Sequence, residues 1–215
     1  MTDNLFEAQY NVTKKTKIKK FYESNKILIF SSVFSLIILF GVYSFYLHSK
    51  EKKRILLSQN YIQAKIYLEN NKENEAKNLL EDIIFANDPS YSTLSLFLIL
   101  NQKLVTDQKE VSKLFEHVLI NNKFEKEVKN LLIYKKAIFN SNFLAESDLI
   151  EDLKPVLSEK SIWRPHALLL LGDYFASKKQ YIKAKEFYKR IFLIKNLQRD
   201  LYEQARSQLA LIAND

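Results

Sequence analysis

The stretch HALLLLGDYFASKKQYIKAKEFYKRIF, residues 166–192, decides how this chain is read. In its second half Ala184, Phe187, Tyr188, Ile191 and Phe192 fall at i, i+3, i+4, i+7 and i+8, one continuous face of an α-helix. Twelve residues before Ala184 stands Gly172, where a residue without bulk lets two antiparallel helices approach closely. Between the halves lies the polar run Ser177-Lys178-Lys179. The stretch predicts a helix A, a short turn and a helix B.

The same pattern recurs upstream, and internal repetition is the first thing to seek in such a chain. One copy holds Ala76, Leu79, Leu80, Ile83 and Ile84; another holds Val111, Leu114, Phe115, Val118 and Leu119. A weaker one holds Leu149, Leu153, Val156 and Leu157, with Asp152 interrupting its face. The starting positions 76, 111, 149 and 184 are separated by 35, 38 and 35 residues. Twelve residues before each start lie Ala64, Ile99, Ala137 and Gly172, small except for Ile99. Polar turns are predicted at Asn70-Asn71-Lys72, Thr106-Asp107 and Asn140-Ser141-Asn142. Asp88-Pro89 and Arg164-Pro165 sit between units, where proline ends one helix or starts the next. Pro155 falls in the third helix B and should kink or shorten it. Leu201 to Ile212, with Tyr202, Ala205, Leu209 and Ile212, adds a last helix that would cap the array.

The last unit resembles a tetratricopeptide repeat. Leu168, Leu171, Gly172, Phe175, Tyr181, Ala184, Tyr188 and Ile191 occupy that motif's spaced positions. The first unit matches in part, through Ala64, Tyr67, Ala76, Leu80 and Ile83. The expected fold class is therefore all-α: a tetratricopeptide-like α-solenoid of about four hairpins plus a capping helix over residues 48–215. Composition agrees, because the chain has only two glycines and three prolines, and all-β folds need many tight turns.

Ahead of the repeats, Ile27 to Leu47 is an uncharged run. As a helix of ~1.5 Å rise per residue it would be about 31 Å long, which matches a hydrocarbon core of ~30 Å. Lys26 closes one end, and His48 and Lys50 the other; Phe21, Tyr22, Tyr43, Phe45 and Tyr46 suit the two interfaces. A cleaved signal peptide would carry a shorter apolar run and a small-residue cleavage site. A core helix would seldom be apolar on every face. Residues 27–47 are thus expected to be a single transmembrane helix, and residues 1–26 a basic cytoplasmic tail whose first dozen residues lack periodicity and are flexible. Six lysines precede the span, and Lys50, Lys52, Lys53 and Arg54 follow it, a small bias toward a cytoplasmic N-terminus.

The layout as a whole resembles the YfgM-like family of ancillary SecYEG translocon subunits. Phe21-Tyr22-Glu23-Ser24-Asn25-Lys26 before the span and Ala167–Tyr188 near the end carry the resemblance, which covers roughly residues 20 to 213. It implies a bacterial inner-membrane protein with its repeat domain in the periplasm. It also implies association with the translocon and with a periplasmic chaperone or emerging polypeptides.

Chemistry finds little footing. The chain has no cysteine, so disulfides, thiolate catalysis and cysteine-based zinc sites are excluded. His48, His117 and His166 are far apart and form no metal-binding pair. Nucleophile elbows and phosphate loops are absent. Adjacent carboxylates such as Glu81-Asp82 and Glu151-Asp152 point in different directions on a helix. The formal charge of +8 is spread thinly, and Phe187 and Tyr188 within the basic run 183–190 belong to the core face, which argues against nucleic acid. Trp163, the sole tryptophan, is expected to pack back against the fold. The chain is thus expected to be no enzyme and to need no cofactor or metal.

Helix A faces turned away from the small residue are the candidate partner-binding groove: Tyr61, Lys65 and Leu68 in the first unit, and His166, Leu169, Asp173 and Ala176 in the last. Their mixed polarity suits an amphipathic helix or extended peptide. The expected function is a membrane-tethered scaffold. The alternatives are an adaptor with the repeats in the cytoplasm and an enzyme with an unrecognised site.

Overall fold

A computed structural model describes residues 3–213, with side chains from Lys17 onward. Among the described residues all regular structure is helical: α1 (Asp3–Glu69), α2 (Glu73–Phe85), α3 (Pro89–Asn101), α4 (Gln108–Asn121), α5 (Lys126–Asn140), α6 (Glu146–Leu153), α7 (Arg164–Ser177), α8 (Tyr181–Ile191) and α9 (Arg199–Leu211). The chain divides into two compact units, Met1–Leu56 and Leu57–Asp215.

From Asp3 onward the first unit is one run of helix. It is long and apolar enough to cross a membrane, by length and composition, and none of its most apolar window is buried by the rest of the protein. Ile27, Phe40 and Phe45 are 78%, 74% and 77% exposed. A soluble monomer rarely leaves so large an apolar surface bare. The helix begins at Asp3, so most of the stretch for which the sequence predicts a flexible tail is helical; Met1 and Thr2 lie outside the described residues. The reason is that no proline and only Gly41 occurs before Glu69. Once nucleated, a helix extends by one hydrogen bond per residue fixed until something stops it.

In the second unit the apolar stripes read from the sequence fall on helices. The buried residues of α2 are Ala76, Leu80, Ile83 and Ile84, and those of α4 are Val111, Leu114, Phe115 and Val118. In α8 they are Ala184, Tyr188 and Ile191, so the apolar stripes read from sequence face inward. α6 stops two residues short of Pro155, and Val156 is buried from the turn beyond it. In α9 the inward residues are Leu201 and Ala205, whereas Tyr202 lies at the surface with its ring edge on Phe192.

Two apolar clusters form. One gathers Leu57 and Ala64 of α1 with α2, α3, α4 and Leu132 of α5. The other gathers Ala137 of α5 with α6, α7, α8 and α9. α2 packs on α3, α3 on α4, α4 on α5, α5 on α6, α7 on α8 and α8 on α9, and α2 also meets α4 and α7 meets α9. α5 contributes to both clusters. Its Lys136 reaches Glu116 of α4 at 3.3 Å and Asp152 of α6 at 3.5 Å, which explains a charge in the middle of the third apolar stripe.

Turn chemistry repeats as well. α1, α3 and α7 end in one motif, with the residue two beyond the helix in the left-handed region: Asn71 (φ 57°), Lys103 (φ 54°) and Lys179 (φ 60°). In each, two amides return to the helix end. Asn71 N donates to Leu68 O and Lys72 N to Tyr67 O; Lys103 N to Leu100 O and Leu104 N to Ile99 O; Lys179 N to Ala176 O and Gln180 N to Phe175 O. This paired bonding is a Schellman turn, which satisfies carbonyls that the helix itself leaves open. α5 ends differently: Ser141 stays right-handed, and Phe143 and Leu144 bond to Asn140 O. Between units, Asp88 caps α3 through the amides of Ser90 and Tyr91, with Pro89 opening the helix. Ser92 Oγ donates to the carbonyls of Ile83 and Ile84 at the end of α2, and so ties the start of α3 to α2.

Candidate functional site

The predicted groove residues fall into two groups. Tyr61 and Leu68 are half-buried and Lys65 is exposed; Tyr61 packs with the first apolar cluster, 6.4 Å from the ring of Tyr91. Burial raises the Tyr61 hydroxyl pKa. His166, Leu169 and Ala176 are half-buried on α7 and belong with the second cluster. Asp173 reaches the surface on the same helix. The two groups therefore mark separate surfaces, one on each apolar cluster.

Around α7 the side chains interlock. Trp163 stacks on Tyr134 of α5 at 6.1 Å, and His166 lies 5.2 Å from Trp163 and edge-on to Tyr134 at 5.8 Å. Trp163 Nε1 donates to Glu127 O at 3.0 Å, while the Glu127 carboxylate accepts from Ser161 Oγ and Ile162 N. The tryptophan packs back on the fold as predicted, onto Tyr134 of α5 as well as His166 of its own helix. Burial and then the Lys135 charge lower the His166 pKa, so this imidazole is neutral at pH 7. Asp173 accepts a 2.7 Å hydrogen bond from the Tyr188 hydroxyl, yet desolvation dominates and raises its carboxyl pKa. The Tyr188 hydroxyl is pushed far up by burial and by Asp173.

The carboxylate pairs diverge. Glu81 faces Lys77, which also bonds Glu110, whereas Asp82 is exposed; Glu151 bonds Lys154 and Asp152 bonds Lys136. His117 Nε2 bonds Asn87 and its ring meets the Phe85 edge.

Sequence reasoning missed a cleft of about 580 Å³ between α3 and α5. Phe97, Leu100, Val105, Ile138 and Phe139 form its apolar lining; Asn101, Lys103, Thr106 and Lys135 complete it. Residues 97, 100 and 101 share one face of α3, and 135, 138 and 139 share one face of α5. Both are A helices by the repeat register, but the face lining the cleft is centred about a quarter turn round from the positions equivalent to the predicted groove, of which Leu96 is fully buried and Tyr134 is covered by Trp163. The missing signal is the spacing between α3 and α5, which helical periodicity does not carry.

No protein-family model matches the chain, and no curated protein matches it.

Proposed function

We propose that this protein is a membrane-tethered, non-catalytic scaffold whose hairpins stack as a tetratricopeptide-like α-solenoid and bind other polypeptides through their A-helix faces. The observation that supports it most is the recurrence of one Schellman turn at the ends of α1, α3 and α7. Units that share a hairpin geometry can stack in one direction and present a continuous surface. The exposed apolar helix supplies a tether, which raises local concentration so that weak contacts on that surface suffice.

In its fuller form the reading places the span in a bacterial inner membrane, with the N-terminus cytoplasmic and residues 48–215 in the periplasm. Its partners there are the SecYEG translocon and a periplasmic chaperone or emerging chains, in keeping with the family resemblance. Photo-crosslinkers at Tyr61 and Asp173 in native membranes test the partners. Recovery of translocon or chaperone subunits supports the reading, and a folded protein that crosslinks to no polypeptide defeats it. Protease added to spheroplasts tests the side: digestion places the domain outside the cytoplasm, protection makes it a cytoplasmic adaptor.

A further inference from the structure

The cleft between α3 and α5 has a composition that selects its occupant. Its apolar residues remain available: Ile138 is 38% exposed, and Phe97, Leu100 and Phe139 are half-buried. Phe139 is held in place from behind by Phe115, with ring centres 6.5 Å apart. At about 580 Å³ the cleft lies within the range of roughly 300–1,000 Å³ that takes a compact ligand group.

Its charge is one-sided. Lys103 and Lys135 line it, and among the described residues no carboxylate does. The contrast with the next lysine is informative: Lys136 is taken up by Glu116 and Asp152, whereas neither Lys103 nor Lys135 has an ion-pair partner among the described residues. The uncompensated charge of Lys135 is felt at His166, whose protonated form it disfavours. The backbone of Lys103 is fixed by the Schellman turn, so this charge is held near the end of α3. Asn101 and Thr106 add amide and hydroxyl groups that can bond a peptide backbone but find no partner on an acyl chain.

We propose that this cleft binds a polypeptide segment in which bulky apolar side chains are flanked by carboxylates. The apolar side chains fill the space between Phe97, Leu100, Ile138 and Phe139, and the carboxylates meet Lys103 and Lys135. The proposal rests on the scaffold reading and specifies its partner's chemistry.

The test uses the full chain in nanodiscs and three fluorescein-labelled peptides: one with Leu and Phe between aspartates, one with lysines in place of the aspartates, and one with serines in place of Leu and Phe. The first should bind at least about tenfold more tightly than either twin, with an affinity that falls as salt rises. The double variant K103E/K135E changes two exposed positions, should keep its helical circular dichroism, and should shift the preference about tenfold toward the lysine peptide. Ile138→Asp should weaken both charged peptides. Equal binding of all three peptides, or a preference unmoved by K103E/K135E, overturns the proposal. So does saturable binding of labelled oleate that the acidic peptide cannot displace, because the cleft would then be a lipid site. If peptide selectivity fails while crosslinks from Tyr61 and Asp173 to partner proteins persist, the scaffold reading stands and only this assignment falls.

Discussion

The ring of Tyr188 occupies the space that a Cβ at residue 172 would fill. A Cβ built on Gly172 would sit 2.6 Å from Tyr188 Cδ1 and 2.8 Å from Cζ, and Tyr188 is fully buried, so the ring has nowhere to withdraw. Gly172→Ala should gain up to ~1 kcal/mol of helix propensity and lose about 1–3 kcal/mol to overpacking. The expected net loss is about 1–2 kcal/mol, a fall in Tm of several degrees for a domain of this size. Thermal unfolding checks this, and Tyr188→Leu in the Gly172→Ala background should recover part of the loss. A Tm for Gly172→Ala at or above the parent's would refute the close packing of α7 on α8.

Asp173, next along α7, makes the hairpin sensitive to pH. Desolvation raises its carboxyl pKa in the folded state. Between the unfolded and folded pKa values the native state therefore holds more protons, and stability falls as pH rises through that window. Asp173→Asn keeps an oxygen to accept from Tyr188 and removes the charge. The variant should melt above the parent at pH 7, and the gap should close as pH drops below the ordinary carboxylate range. A gap that widens on acidification would be the wrong sign. His166 acts independently: its lowered pKa means that stability present above pH ~6.5 declines as the pH falls below that value. Comparison of Asp173→Asn with the parent cancels that contribution, because both proteins carry it.

Lys179 holds φ 60° to close the Schellman turn between α7 and α8, a conformation that a Cβ makes costly. Lys179→Gly relieves the strain while adding freedom to the unfolded chain. With the first effect the larger, a gain of about 0.5–1 kcal/mol is expected in denaturant unfolding. Lys179→Val should lose stability, since a β-branched residue fits this region worst.

Much of the fold was legible because burial wrote itself at helical spacing. Ala76 to Ile84, Val111 to Val118 and Ala184 to Ile191 each turn their apolar stripe inward. Polar turns and Asp88-Pro89 fell where the helices break. What stayed hidden has a physical cause in each case. The left-handed turn residues are Asn or Lys and none is glycine; asparagine at 71 and 87 carries some signal for that conformation, but lysine at 103 and 179 carries none. The α3–α5 cleft depends on how two helices distant in sequence are spaced. α7 and α8, which meet at Gly172, pack along more of their length than α3 and α4, where Ile99 stands. Tyr61, Lys65 and Leu68 lie on α1 and His166 and Leu169 on α7, and periodicity could not show that Tyr61 packs on one apolar cluster and Leu169 on the other.

Trp163 ties the loop before α7 to α5 twice, through its ring and through its indole N–H. The ring stacks on Tyr134, and Nε1 donates to Glu127 O, a carbonyl in the first turn of α5. Trp163→Ala removes both, and for a half-buried aromatic the cost should lie at or below the low end of the ~3–5 kcal/mol seen for full burial. Trp163→Phe keeps an aromatic ring against Tyr134 and loses only the indole bond to Glu127 O, a first-turn carbonyl that also accepts from within α5, so it should cost about 0.5–1.5 kcal/mol. The order Ala worse than Phe separates the two contributions, and equal costs would mean that the hydrogen bond carries the whole effect. As the only tryptophan, the residue also reports on its own setting. Its emission should be shifted to the blue of free indole, and the shift should disappear in the same transition that abolishes the helical signal, because the loop cannot leave Tyr134 without unpacking α7 from α5. A red shift well before loss of helix would instead show that residues 158–163 open as a local unit.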